Sequence, residues 1–328
     1  MNILKPKHLN RGDTIGIVAT SFPFPANEHD EYFREYQRGK KELENLGFKV
    51  KEGKNLKKVK WWFAGTPEER ADDINDMYND PEIKAIIVHE GGQSAIAILE
   101  HIDYSLVKKN PKPFIGFSDI TNIHLAMFTQ TGLVGFQGPL LTYSLGKIWG
   151  KYLPEKKQHG LKLFYKILTS AEPLGKIIPL TKWQCWRSGS CKGMLFGGNL
   201  SMLISLIGTK YFPSINILEG CILFWETDNT DSYRIERGLL QLKYAGVLDV
   251  ISGMVIGKLP DIRKTGWEGI EEPTLHDLIM TVLKDSKFPI LAEVDFGHKT
   301  VAIPMPIGIS AEVDSEKLIM EFQESAVI

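Results

Sequence analysis

Three widely separated residues carry the chemistry of nucleophilic acyl transfer: Ser118, Glu226 and His298. Ser118 stands in Lys112-Pro-Phe-Ile-Gly-Phe-Ser-Asp-Ile-Thr-Asn-Ile-His. Phe114, Ile115 and Phe117 supply a short apolar run suited to a buried strand. From Asp119 onward, Ile120, Ile123, Ala126 and Met127 recur at helical spacing, and Gly132 stands where a helix would stop. A serine on that strand-to-helix corner has its hydroxyl pushed out above the sheet edge. The first N–H groups of the helix are then free to face a developing oxyanion. The pattern departs from the G-x-S-x-G elbow, because Ile120 replaces the second glycine. An ordinary helix capped by Ser118 or Asp119 reads the same way.

A serine nucleophile needs a base and a group that orients it. Glu226 ends the apolar run Cys221-Ile-Leu-Phe-Trp-Glu and opens a polar turn, where desolvation beside Phe224 or Trp225 costs stability unless the carboxylate is paired. A salt bridge or a surface acid are the plainer alternatives. His298 follows Val294-Asp-Phe-Gly297, again a strand running into a glycine turn. Of the seven other histidines, His89 is the rival, because it ends the strand before Gly91-Gly92. Residue patterns leave the choice between His89 and His298 open. In either case the serine attacks an amide carbonyl, the imidazole takes its proton and returns it to the leaving amine, and the carboxylate fixes the imidazole tautomer. Backbone N–H groups of Asp119 and of the Gly91-Gly92 loop, Gly92 in particular, are the candidate oxyanion donors.

The elements that would position these residues alternate. Strands are expected at Thr14-Ile-Gly-Ile-Val-Ala, Phe48-Lys-Val-Lys, Ala85-Ile-Ile-Val-His and the Ser118 segment. Helices are expected over 30–46, from the Thr66 cap through Met77, after Gly91-Gly92, and after Ser118. Such alternation predicts a doubly wound parallel sheet in an amino-terminal α/β domain, residues 1–141, with functional loops at the carboxyl ends of the strands. Residues 142–190 read as a connector carrying a substrate loop. Residues 191–328 read as a carboxy-terminal, mixed, strand-rich α/β domain that supplies the glutamate and the histidine.

Bulk properties exclude several classes. A net charge of −1, from 39 basic and 40 acidic residues, gives no nucleic-acid footprint. The first residues contain no apolar leader core, and no segment has the ~18 uninterrupted apolar residues of a membrane span, so a cytoplasmic location without membrane partners is expected. Cys185, Cys191 and Cys221 are too few for a disulfide framework and lack zinc-site spacing. No cofactor and no metal ion are expected, and a homodimer is the expected assembly.

Taken together, Arg11-Gly-Asp-Thr-Ile-Gly-Ile-Val-Ala, Ala64-Gly-Thr-Pro-Glu-Glu-Arg, Gly116-Phe-Ser-Asp-Ile-Thr, Gly197-Gly-Asn-Leu, Leu223-Phe-Trp-Glu226, Tyr233-Arg-Ile-Glu-Arg and Phe296-Gly-His298 span nearly the whole chain. In that order they resemble the serine peptidase family of LD-carboxypeptidases and microcin C immunity proteins. The resemblance implies that Ser118, Glu226 and His298 form the triad, and so favours His298 over His89. It also implies a site between the two domains. The glycine loop departs from the family pattern, reading Gly91-Gly92-Gln93-Ser94. One branch of the family releases the terminal D-alanine of a murein tetrapeptide, and the other cleaves the amide joining a peptide or aminoacyl group to a modified nucleotide. The connector Trp183-Gln-Cys-Trp186-Arg-Ser-Gly, leading to Gly197-Gly198-Asn199, looks more like the immunity branch, with Trp186 and Asn199 as substrate-binding candidates. An indole on a loop can stack on a nucleobase for ~1–3 kcal/mol. Equally, Trp183 and Trp186 would simply pin the connector to the core. An α/β-hydrolase esterase and a non-catalytic ligand-binding module are the readings from other classes.

Overall fold

Successive strand side chains point to opposite faces, and in the first sheet both faces are apolar. In the computed structural model, which describes residues 1–24, 29–228, 230–259, 269 and 271–328, this produces a sheet with a core on each side. Its first strands are β1 (Thr14–Val18), β2 (Lys49–Glu52), β3 (Ile83–Val88), β4 (Phe114–Gly116) and β5 (Gly135–Gln137), all parallel. Ile15, Ile17, Ala85, Ile87 and Ile115 pack on one face, against Tyr36 and Leu43 of α1 (Glu31–Asn45). Val18, Ile86, Val88 and Phe114 pack on the other, against Ala71, Ile74 and Met77 of α2 (Pro67–Asn79). The Thr66 capping box starts α2 as the sequence indicates. A 3₁₀ turn over Ala95–His101 replaces the helix expected after Gly91-Gly92, and α3 (Tyr104–Lys109) follows it.

Helix α4 (Thr121–Thr131) is buried nearly all round, because it lies between the two sheets. Its Asn122 Nδ2 donates across to the Met202 carbonyl at 2.8 Å.

Residues 142–190 are more than a connector. A π-helix over Leu141–Ile148, the 3₁₀ turn Trp149–Lys151 and α5 (Pro154–Thr169) bury Leu141, Leu145, Trp149, Phe164 and Leu168 against the first sheet. The chain then supplies β6 (Gly175–Lys176) and β7 (Gln184–Arg187) to opposite edges of the second sheet. Gly146, Gly150 and Pro154 break up the helical pattern in the sequence, which conceals this layer.

The second sheet continues with β8 (Ser190–Asn199), covered by α6 (Leu200–Ser205) and α7 (Ile215–Leu218). Next come β9 (Ile222–Glu226), α8 (Ser232–Tyr244), α9 (Val247–Val250), β10 (Gly253–Gly257), α10 (Leu275–Val282) and β11 (Ile290–Val294). Strands β8 to β11 are parallel at its centre, and antiparallel pairs flank them. Near the end of the chain, β12 (Met305–Ile307) returns to pair antiparallel with β5, so the first sheet is six-stranded and mostly parallel. The last strands, β13 (Ser310–Asp314) and β14 (Ile319–Phe322), complete a mixed eight-stranded second sheet. The fold is therefore two-domain α/β, with the chain crossing between the sheets more than once. Among the described residues no helix is long and apolar enough to cross a membrane.

Candidate active site

Ser118 lies on the corner between β4 and α4 with φ 65°, a left-handed conformation uncommon for a residue with a side chain. Holding it there costs ~1–3 kcal/mol, which the buried strand and helix on either side offset. Its hydroxyl does not cap α4, whose start has no side-chain cap. Instead Oγ lies 3.2 Å from His298 Nε2. Asp119 caps nothing on its own helix either. Its Oδ2 accepts the N–H groups of Ser94 and Ala95, both at 3.0 Å, and so ties the Gly91–Ser94 loop to the serine corner. Burial pushes the Asp119 carboxyl up, against the pull of those N–H groups and of Arg70.

Glu226 ends β9 with no exposed surface, in register with Asn199 of the neighbouring β8. Oε2 lies 2.7 Å from His298 Nδ1, and Oε1 accepts from Asn199 Nδ2 at 3.0 Å. With Nδ1–H donating to the carboxylate, Nε2 is the free base facing the serine hydroxyl. The His298 ring also packs against Phe117 and Tyr143, with centroids 4.6 and 5.8 Å away. Burial works against protonation of His298. The Glu226 carboxylate, with Asp228 and Glu90 adding to it, outweighs burial and holds the imidazole above its usual 6.5. Gly198, at φ 147°, is where β8 meets α4, and a Cβ there would strike the Thr121 side chain. The same Thr121 hydroxyl accepts the Asn199 N–H at 2.9 Å, which fixes the amide beside Glu226.

The rival histidine is structural. His89 is fully buried, its Nε2 pairs with the Phe22 carbonyl at 3.0 Å, and burial pushes it down to about 4. His124 does the same against the Phe114 carbonyl.

Ser118 and His298 open onto a cavity of about 370 Å³ shared by both domains, bordered also by Gly91, Gly92 and Asn199. Gly92 has φ 151°, and a Cβ would collide with Ser21 Oγ, so only glycine fits. Gly91 comes close enough that a Cβ would sit 3.7 Å from Ser118 Oγ. Its own N–H is taken by Glu90 Oε1 at 3.1 Å, and those of Gln93 and Ser94 by Ser21 Oγ at 3.0 and 2.9 Å. The Asp119 N–H, in the first turn after the serine, lacks an intrahelical partner by position.

The two substrate candidates are placed differently. Asn199 borders the cavity, but its side chain is committed: Nδ2 to Glu226, and Oδ1 to the N–H groups of Ser201 and Met202 at the start of α6. Trp186 does not line this cavity. It lies on β7, three places along the sheet from β9, with Nε1 donating to Gln184 Oε1 at 2.8 Å and its ring edge-on to His276. Trp183 is the pinning residue, buried with Nε1 donating to Asp295 Oδ2 at 2.8 Å.

Other cavity residues were given no role in the sequence: Glu90, Tyr143, Asp228 and Arg234, the last inside the quoted Tyr233-Arg-Ile-Glu-Arg segment. Glu90 and Asp228 stand next to features that were read, the glycine loop and the polar turn after Glu226. Asn229 in that turn lies outside the described residues. Burial lifts the Glu90 carboxyl to about 7. Tyr143 carried no signal, because it sits on the unanticipated π-helix. Among the described residues no cluster of three His, Cys, Asp or Glu side chains is arranged to hold a metal ion.

The same architecture recurs in known proteins. Residues 15–138 match the LD-carboxypeptidase N-terminal domain, and residues 192–313 match the LD-carboxypeptidase C-terminal domain. A probable murein peptide carboxypeptidase of Bacillus subtilis is 33% identical over 318 residues, covering 95% of this chain and 92% of that protein. The microcin C7 self-immunity protein MccF of Escherichia coli is 30% identical over 327 residues, covering 92% of this chain and 91% of that one. The solved structure of MccF in complex with aspartyl sulfamoyl adenosine superposes with a TM-score of 0.88 at 27% identity, covering 99% of this chain and 100% of that one. The chain belongs to the LD-carboxypeptidase family of S66 peptidases, hydrolases that act on peptide bonds.

Proposed function

We propose that Ser118, His298 and Glu226 act as nucleophile, base and orienting acid in the hydrolysis of an amide whose acyl part is an amino acid or peptide and whose leaving amine belongs to a modified nucleotide. The observation that carries the reading is the hydrogen-bonded chain Ser118–His298–Glu226 at the floor of the cavity. His298 Nε2 takes the hydroxyl proton as Ser118 Oγ bonds to the carbonyl carbon. The oxyanion is met by the N–H groups of Asp119 and Gly92. As the C–N bond breaks, the imidazolium returns the proton to the leaving nitrogen, and a water activated by the same imidazole releases the acyl group from Ser118.

Likeness to MccF with its aspartyl sulfamoyl adenosine supports the nucleotide substrate. Phe22 and Tyr143, which border the cavity, support base stacking there, whereas Trp186 of the same chain does not. A second reading, release of D-alanine from a murein tetrapeptide, is favoured by the Bacillus subtilis relative. A homodimer working in the cytoplasm is part of either reading.

Turnover of aspartyl sulfamoyl adenosine and of a murein tetrapeptide, measured side by side, tests the choice. A kcat/KM at least tenfold higher on the nucleotide amide is expected. The reverse preference would transfer the assignment to the murein branch, and turnover of neither would remove it.

A further inference from the structure

Arg234 stands in the first turn of α8, and its side chain reaches the cavity that holds Ser118 and His298. The charged groups around it are mostly of the opposite sign. Glu90 and Asp228 border the same cavity, Glu226 lies buried behind His298, and Asp228 Oδ2 comes within 3.9 Å of His298 Nε2. His298 has to be neutral to act as a base. Among the described residues lining the cavity, Arg234 is therefore the single permanent cation.

Its guanidinium is also available. Asp231, the N-cap of α8, accepts the Arg234 N–H at 3.0 Å and lies 3.4 Å from Nε. Among the described residues, no bond occupies Nη1 or Nη2. The contact at Nε leaves the outer edge of the group, two N–H donors side by side, without a partner among the described residues, on a side chain that borders the cavity. That edge matches an oxyanion group held through two parallel hydrogen bonds. The side chain is 57% exposed, so binding an anion there requires no burial of a lone charge in the free protein.

We propose that Arg234 is the specificity residue of this site, binding the acidic oxygens carried next to the leaving nitrogen. This inference rests on the amide-hydrolase reading above. Both candidate substrate types share the chemistry: a terminal D-alanine carries its carboxylate one carbon from the scissile nitrogen, and an acyl sulfamate carries sulfonyl oxygens directly on it. In a cavity whose other charged side chains are the carboxylates Glu90 and Asp228, an acidic leaving group without Arg234 has no cationic partner. The arginine thereby selects amides at a chain end over internal peptide bonds, whose leaving nitrogen bears no acidic group.

The experiment compares wild type, Arg234→Gln and Arg234→Lys on a murein tetrapeptide ending in D-alanine and on the same peptide ending in D-alaninamide. In parallel, it uses aspartyl sulfamoyl adenosine and aspartyl anilide, whose leaving amine bears no acidic group. Thermal melts verify that the variants are folded. For whichever acidic substrate turns over, Arg234→Gln should lower kcat/KM by about ten- to a hundredfold, mainly through KM, the range of a charge-assisted hydrogen-bonded pair. The counterpart with an uncharged leaving group should change less than about threefold, and Arg234→Lys should recover part of the loss. Which acidic substrate shows the effect separates the carboxylate from the sulfamate. Equal losses on acidic and neutral substrates, or no loss on either, overturn the inference. Ser118→Ala in the same assays keeps the two claims apart: if it abolishes turnover while the acidic-to-neutral ratio ignores Arg234, the hydrolase reading stands and only the arginine assignment falls.

Discussion

Asn199 and Glu226 face each other across neighbouring parallel strands, and the Asn199 amide donates at 3.0 Å to the Glu226 oxygen that His298 leaves free. Both oxygens of a carboxylate with no exposed surface thereby have hydrogen-bond partners. Asn199 also caps α6, so two variants separate its roles. Asn199→Ala should lower kcat by about 10- to 100-fold and cost ~1 kcal/mol from the lost cap. Asn199→Ser keeps a capping oxygen but loses the amide, so kcat should fall similarly while the melting temperature stays above that of Asn199→Ala. Steady-state kinetics beside thermal melts separate the two effects.

The Asp119 carboxylate makes a second prediction. It holds the N–H groups of Ser94 and Ala95, and those bonds fix the glycine loop against the nucleophile corner. Asp119→Ala should leave both donors unpaired, lower stability by ~1–3 kcal/mol, and lower kcat by at least tenfold through a loosened oxyanion loop. Asp119→Asn keeps one acceptor oxygen and should recover most of the stability. Urea unfolding and kcat on the same preparations test this.

The pH profile follows from the charges around His298. The base is active when neutral, and its pKa is held above the usual 6.5, so kcat/KM should fall as pH drops through a value higher than that. Asp228 is one of the charges that raise it, 3.9 Å from Nε2. In Asp228→Asn the imidazole loses that support, and the acid limb of the profile should move to lower pH. A limb that stays in place or moves upward would contradict the assignment of His298 as base.

His89 and His124 make a prediction about stability. Both are buried and pushed down to about 4, while in the unfolded chain they titrate near 6.5. The unfolded state binds more protons between those values. The stability these groups contribute is therefore fully present above about 6.5 and is lost as pH falls toward 4, by at most ~3 kcal/mol each. His89→Gln keeps a donor for the Phe22 carbonyl and cannot be protonated. Its urea midpoint should fall less between pH 7 and pH 5 than that of the wild type.

Much of this was legible in the sequence because local patterns agreed with the fold. The Thr66 capping box, the apolar runs of β1, β3 and β9, and the strand-end positions of Ser118, Glu226 and His298 each carry their own signal. What stayed hidden depends on distant pairing. His89 looks as catalytic as His298 until the Phe22 carbonyl takes its nitrogen. Trp186 looks like a loop platform until its strand pairs with β11, on the side of the second sheet away from β8. Tyr143 and the π-helix are masked by glycines that, in the folded chain, allow close packing: a Cβ on Gly146 would strike the Glu35 carbonyl.

The central claim is that Ser118 is the nucleophile, and turnover by Ser118→Ala tests it most directly. The variant removes one oxygen from a corner whose conformation the flanking strand and helix impose, so it should fold as the wild type does. On the substrate the wild type prefers, kcat should fall by about a thousandfold or more. A kcat within tenfold of wild type would contradict the account.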